Sequence, residues 1–282
     1  MPEHVASISY GKDSLAMLHV IVNVLHWPLD RIVTADEWAT EDVPTELPEQ
    51  IAFEERMDEL ILERFGIQVE HVYALTKTGE KVTFEKEFYK VRRKASNREG
   101  EIVGWPRLFG CWANKRLKLR ALDRIRDSMK GCIEYIGIAA NETERISRHA
   151  VKGTVRMPLV DAGWDEEMCL QWCKDNNMLA PCYRFSNRSG CFFCPAQPIE
   201  QLRILRHEHP ELWQLMLRWD ADSPTYFKPW HHDGLPSRKL IDYDKRFTIE
   251  DAGFADPEKR FDWRLLDSVL YELSIPKAQD LA

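Results

Sequence analysis

Apolar residues first gather at Val5-Ala6-Ser7-Ile8 and then recur at Leu15, Leu18, Ile21, Val22 and Leu25. The short continuous run predicts a buried strand, and the spacing of three to four predicts a helix behind it. Residues 31–35 predict a second strand ending at Asp36. Ile51, Met57, Leu60, Ile61 and Phe65 mark a second helix, and residues 68–73 a third strand. A helical pattern returns at residues 112–129, followed by a fourth strand over 133–138 that is closed by Gly137. This alternation predicts an α/β fold, a Rossmann-like parallel sheet covered by helices. Residues 1–160 are assigned to that domain. Residues 161–282 are assigned to a helical region that carries a cysteine loop, with Leu202, Leu205, Leu212, Leu215, Met216 and Trp219 lining one segment and Phe261, Leu265, Leu266, Val269 and Leu270 another.

Ligands of parallel sheets sit at the carboxyl ends of the strands, which places the loops after Ser9, Asp36 and Ile138 around one crevice. The first of these reads Ser9-Tyr10-Gly11-Lys12-Asp13-Ser14. A strand that turns on Gly into a helix start offers unpaired N–H groups and the positive end of the helix dipole to an anion. Lys12 adds a charge, while Ser9 and Ser14 add hydroxyls. It is not a Walker A loop, because Ala6 and Asp13 occupy positions where that motif needs Gly and a hydroxyl residue. The plainer reading is a strand-to-helix turn with Lys12 in solvent. Asp36 suits a ribose hydroxyl or a magnesium ion, and equally a turn cap.

A second constellation is Cys182-x8-Cys191-x2-Cys194-Pro195, in a loop that includes Asn187, Ser189 and Gly190. A C-x-x-C with a third thiol nearby suits zinc or a [4Fe–4S] cluster, and ligand identity alone does not separate the two. A redox dithiol or buried packing are the other readings of these thiols. Cys169 and Cys173, four apart in a helical pattern, are expected in the core, as is Cys132. His231 and His232 are expected to be turn residues.

The chain has 282 residues, a formal net charge of −7 and seven cysteines. An odd number of thiols, with no signal-peptide layout and no apolar run of membrane-spanning length, leads to the expectation of a cytoplasmic protein. Charge is uneven. Residues 81–130 hold fifteen Lys and Arg against six Asp and Glu. Arg92, Arg93, Lys94, Arg98, Lys115, Arg116, Lys118 and Arg120 then read either as a surface for DNA or tRNA over residues 86–130, with Tyr89, Trp105 and Phe109 to stack bases, or as a solvated basic face.

Residues 9–14 resemble the SGGKDS PP-loop of the adenine-nucleotide alpha-hydrolase superfamily, with Tyr10 in place of one Gly. The stretch Tyr135-Ile136-Gly137-Ile138-Ala139-Ala140-Asn141-Glu142-Thr143-Glu144-Arg145 resembles the GIRxxES..R segment of the phosphoadenosine-phosphosulfate-reductase-like branch. Glu142, Thr143 and Arg145 match it, and Ala139 stands where many relatives have Arg. Gly110-Cys111-Trp112 resembles the place where adenylylsulfate reductases carry Cys-Cys-x-x-Arg-Lys, which makes Cys111 the expected fourth metal ligand ahead of His207 or His209.

The resemblance implies an ATP or related adenine-nucleotide site at Ser9, Tyr10, Gly11, Lys12, Asp13, Ser14, Asp36, Gly137, Glu142 and Arg145, with Mg²⁺, and with Lys12, Asp13 and Ser14 as its catalytic group. It implies a metal centre on Cys111, Cys182, Cys191 and Cys194, leaning towards iron–sulfur. Sulfonucleotide reductases of this superfamily use a cysteine in a Glu-Cys-Gly-Leu-His tail, and this sequence has no Cys after Cys194. The expected activity is therefore that of an ATP pyrophosphatase and sulfur transferase similar to the DndC-like proteins of DNA phosphorothioation, with a sulfur-donor protein as a further partner. A sulfonucleotide reductase and a nucleotide-binding subunit without turnover are the alternatives.

Overall fold

The continuous apolar runs near the N-terminus form strands buried on both faces. A computed structural model describes residues 2–93, 98–106, 110–128, 131–149, 153–184, 190–228 and 237–266. Met129, Lys130, Lys94, Phe109, Asn187, Ser189, His231, His232 and residues 267–282 lie outside them. Five strands, β1 (His4–Ile8), β2 (Arg31–Asp36), β3 (Val69–Tyr73), β4 (Ile133–Ile136) and β5 (Val155–Arg156), form one parallel sheet in the order β3-β2-β1-β4-β5. The chain moves outward from β1 to β3, then crosses back to add β4 on the other side of β1. Order reverses there, and the carboxyl ends of β1 and β4 are where parallel sheets with such a reversal take their ligands.

The helices are α1 (Lys12–His19), α2 (Pro48–Phe65), α3 (Phe84–Phe88), α4 (Arg120–Ser128), α5 (Thr143–His149), α6 (Pro158–Asp161), α7 (Glu166–Asp175), α8 (Ile199–Glu208), α9 (Pro210–Asp222) and α10 (Leu240–Asp251). α2 starts with Pro48 in its first turn, where a missing N–H costs nothing, and stops at Gly66, whose φ of 68° only glycine adopts freely. Its buried stripe is Gln50, Phe53, Met57 and Ile61.

The strands and helices differ from expectation in detail. β4 ends at Ile136, two residues early, because the Ile138 amide turns back to the Ile136 carbonyl. β5 has two residues, too few to show a pattern. The helix expected at 112–129 contains a π-helical stretch, Asn114–Leu119, ahead of α4.

The chain forms two compact units: Met1–Glu87 with Cys111–Phe192, and Phe88–Gly110 with Phe193–Ala282. The boundary expected at residue 160 does not coincide with this division, because α6 and α7 both pack on α1. The first unit has its core around Leu15, Met17, Leu18, Ile32, Met57, Tyr135, Cys169 and Cys173. In the second, Trp105 meets Phe227 edge-on at 4.9 Å and lies 6.2 Å from Trp219. Buried Asp220 accepts from the Trp105 indole at 2.8 Å and from the Leu240 amide at 2.8 Å, so it ties residue 105 to the start of α10.

Candidate functional site

The turn from β1 into α1 is closed by its own polar groups. The Ser14 hydroxyl donates to the Gly11 carbonyl at 2.9 Å and accepts from the Ser9 amide at 3.2 Å. Tyr10 takes a φ of 51°, the left-handed region that bulky residues rarely enter. Gly11 caps α1 in extended conformation and supplies no side-chain cap. The Lys12 amide is taken by the Tyr183 hydroxyl at 3.2 Å. The Lys12 ammonium donates to both Asp13 oxygens at 2.8 and 3.0 Å and to Glu166 at 3.1 Å. Burial pulls the ammonium down, but Asp13 and Glu166 outweigh it and hold Lys12 above its ordinary value. Asp13 itself is pushed up by burial, against the pull of Lys12.

Gly137 brings the end of β4 flush against this turn. A Cβ there would lie 3.0 Å from backbone atoms of Asp13 and Ser14. Beyond it, Glu142 accepts from the Ala139 amide at 3.1 Å and pairs with Arg145 at 2.7 and 2.9 Å. The Asn141 side chain accepts from the Glu166 amide at 3.2 Å, and the Ala140 amide donates to Trp164 at 2.8 Å. Lys12, Asp13, Ser14, Gly137, Glu142 and Glu166 thus converge, and Arg145 joins them through Glu142. Glu166 had no signal in the sequence beyond its position in a helix start.

Asp36 has a partner on the neighbouring strand. Thr34 pairs with His71 across β2 and β3, so Asp36 lies two residues further along the same face. His71 meets Asp36 through Nδ1 at 2.8 Å and Asp58 through Nε2 at 2.8 Å, and these two hydrogen bonds outweigh burial to push it up to about 10. The Tyr10 hydroxyl donates to the other Asp58 oxygen at 2.5 Å.

Next to this network stands a group of carboxyls. Burial first, and then neighbouring charges, push Glu54 up to about 7 and Glu46 up to about 8. Glu37 is pushed up by burial as well. The Thr45 amide donates to the Glu37 carbonyl at 3.0 Å, which folds Glu46 back beside Glu37. Sequence reasoning missed His71, Asp58, Glu46 and Glu54, whose partners come from separate elements.

Cys169 and Cys173 are fully buried, as expected, and the Cys173 thiol donates to the Lys12 carbonyl at 3.4 Å. Burial pushes Cys173 up to about 12. Cys111, Cys182 and Cys191 belong to the first unit and Cys194 to the second. None of the seven cysteines forms a disulfide. Their thiols are the donor type that zinc and iron–sulfur clusters take. Among the described residues, no three His, Cys, Asp or Glu gather as metal ligands. The expected centre rests on the spacing of Cys182, Cys191 and Cys194 and, for Cys111, on the resemblance. The alternative ligands face carboxylates, His207 towards Asp251 at 3.4 Å and His209 towards Glu211 at 3.9 Å.

Several basic side chains of residues 86–130 are committed within their own unit. Arg92 donates to the Val103 carbonyl at 2.7 Å, Arg98 to Glu101 at 2.7 Å, and Arg116 to Glu87 at 2.8 Å, while Lys86 pairs with Glu41. Arg93 and Lys115 are exposed. Trp105 is only 2 % exposed and is a core residue, which removes it from the expected base-stacking set. Tyr89 is partly exposed, with its hydroxyl on Asp222 at 2.7 Å. Among the described residues, no helix is long and apolar enough to cross a membrane. Comparison with protein-family models and with curated proteins finds no match to this chain.

Proposed function

We propose that the crevice at the ends of β1 and β4 binds ATP or a related adenine nucleotide, and that the protein is a PP-loop ATP pyrophosphatase acting in sulfur transfer. The observation that carries this reading is the Ser9–Ser14 turn, which leads from a buried strand into a helix start with no side-chain N-cap, where strand order reverses and Gly137 lets β4 pack directly on the backbone of the turn. The resemblance to the SGGKDS loop supports it. In the proposed reaction an acceptor oxygen attacks the α-phosphorus, the bond to the leaving pyrophosphate breaks, and sulfur then displaces AMP from the acceptor. Lys12 leaves Asp13 and Glu166 for the phosphates, and amides at the start of α1 hold the pyrophosphate as its charge grows. Bound Mg²⁺ would neutralise the phosphate oxygens, with Asp13 as the carboxylate of the loop that would hold it.

Transfer is favoured over sulfonucleotide reduction because the thiols beside Lys12, Cys169 and Cys173, are fully buried and pushed towards the neutral form, unlike a reactive thiolate. A sulfur-donor protein, and DNA or tRNA held by exposed cations such as Arg93 and Lys115, are the partners this reading entails.

Calorimetry with ATP, paired with an assay for AMP and pyrophosphate, tests it. Lys12→Ala should weaken ATP binding about tenfold to a hundredfold, since it removes a charge-assisted contact and leaves Asp13 and Glu166 facing the phosphates. Unchanged affinity would overturn the assignment. A metal centre at Cys111, Cys182, Cys191 and Cys194 belongs to the same reading. Anaerobically purified protein should then carry iron or zinc, and protein with neither metal and four alkylatable thiols would remove the centre from it.

A further inference from the structure

The Tyr10 backbone needs an explanation. Its φ of 51° is a conformation that glycine enters freely and a bulky residue does not, and the SGGKDS loop it resembles has Gly there. Something outside the loop must hold it. The Tyr10 side chain is 2 % exposed, stacked on His71 at a centroid distance of 6.4 Å, with its hydroxyl 2.5 Å from Asp58 Oδ1 and 3.3 Å from His71 Nε2. Asp58 divides its two oxygens, one to Tyr10 and one to His71. His71 divides its two nitrogens between Asp58 and Asp36, each at 2.8 Å. Ionised carboxylates only accept, so both ring nitrogens must donate, and that requires the imidazolium. The four residues come from four places: the loop after β1, the end of β2, the edge strand β3 and α2.

We propose that His71, clamped between Asp36 and Asp58, is a positioning residue that fixes Asp58 on the Tyr10 hydroxyl and so holds the Ser9–Ser14 turn in the shape that receives phosphate. The inference rests on the anion-binding reading of that turn. A neutral ring has one N–H to share between two carboxylates. Asp58 would then lose its fixed orientation, Tyr10 its anchor, and the turn its left-handed residue. Glu54 on α2 faces the same group, and the ring draws its carboxyl down against the burial that pushes it up. Asp36 holds the other side of the ring through Nδ1.

The test is a double-mutant cycle read with inorganic pyrophosphate as the probe. His71→Gln should weaken pyrophosphate binding about tenfold in the otherwise unchanged protein. Tyr10→Phe keeps the ring and removes the hydroxyl through which Asp58 acts. In that background His71→Gln should cost less than about twofold. A tenfold loss in both backgrounds would mean that His71 touches the anion itself, and no loss in either would mean that it does not act on the loop. Both results overturn the proposal. Hydrogen exchange at the Ser9 amide, which donates to the Ser14 hydroxyl across the turn, gives a second reading without ligand. His71→Gln should speed it about tenfold, again only when the Tyr10 hydroxyl is present, and an unchanged rate overturns the clamp. If the unchanged protein binds no pyrophosphate, the anion reading fails by itself, and the exchange rates still decide the clamp.

Discussion

Replacing Glu46 with Gln is expected to raise the unfolding free energy by about 2–4 kcal/mol at pH 8 and to leave it nearly unchanged at pH 5. Glu46 is held at about 8, against an ordinary 4.5, by burial first and then by Glu54 and Glu37, with Lys118 opposing. A carboxyl raised in the folded state binds its proton more tightly there than in the unfolded chain. The stability it contributes is complete below about pH 4.5 and is lost as pH rises through about 8. The shift sets an upper bound of about 5 kcal/mol, and relaxation around the charged group reduces it. Gln keeps the shape of the neutral acid and cannot ionise, so it removes only the loss that builds up between about pH 4.5 and 8. Urea titrations of both proteins at pH 5 and pH 8 check this. Parallel losses of stability in the two would show that Glu46 is ordinarily solvated.

Gly137→Ala should weaken ATP binding at least about tenfold and lower stability by about 2–3 kcal/mol. The added methyl would sit 3.0 Å from the Asp13 carbonyl carbon, the Ser14 Cα and the Ser14 amide nitrogen. All three are backbone atoms of the first turn of α1, so no flexible side chain can give way, and β4 or the helix start must move. Gly137 is not among the positive-φ glycines, which makes this a cost of contact rather than of dihedral strain. Gly66→Ala is the matching control, with a φ of 68° and open space around it. It should lose stability through strain at the end of α2 and keep its affinity for ATP. Equal ATP affinity in Gly137→Ala and the parent would separate Gly137 from the site.

Legibility in the sequence followed the range of the interactions. Val5, Ala6, Ile8 and Ile32 to Thr34 are buried in the middle of the sheet, and burial of both faces writes a strand as a mostly apolar run without strict alternation. The Ser9–Ser14 turn was equally visible, because a loop between such a run and a helix is local in sequence. The Asp36, Asp58 and His71 group was not, since parallel pairing and the rise of α2 bring together residues far apart in the chain. Lys12 was recognised as the cation of the loop, yet its partner Glu166 lies 154 residues away. Trp105 misled for the same reason: an aromatic in a basic stretch reads as a stacking surface until Asp220 and Phe227 arrive to bury it.

The chain passes between its two units three times, after Glu87, after Gly110 and after Phe192. No single cut therefore yields both as intact pieces. A fragment ending at Phe192 would keep Trp105 but lose Trp219, Asp220 and Phe227, leaving a large indole without its cover or its acceptor. Synthesis meets the same constraint. Residues 88–110 emerge from the ribosome long before α9 and the segment after it, so this part of the chain waits while α4, β4, β5 and α5 to α8 are made. An exposed Trp105 in that interval is a surface for chaperones to hold, and the order of synthesis, more than the final packing, sets when the second unit can close.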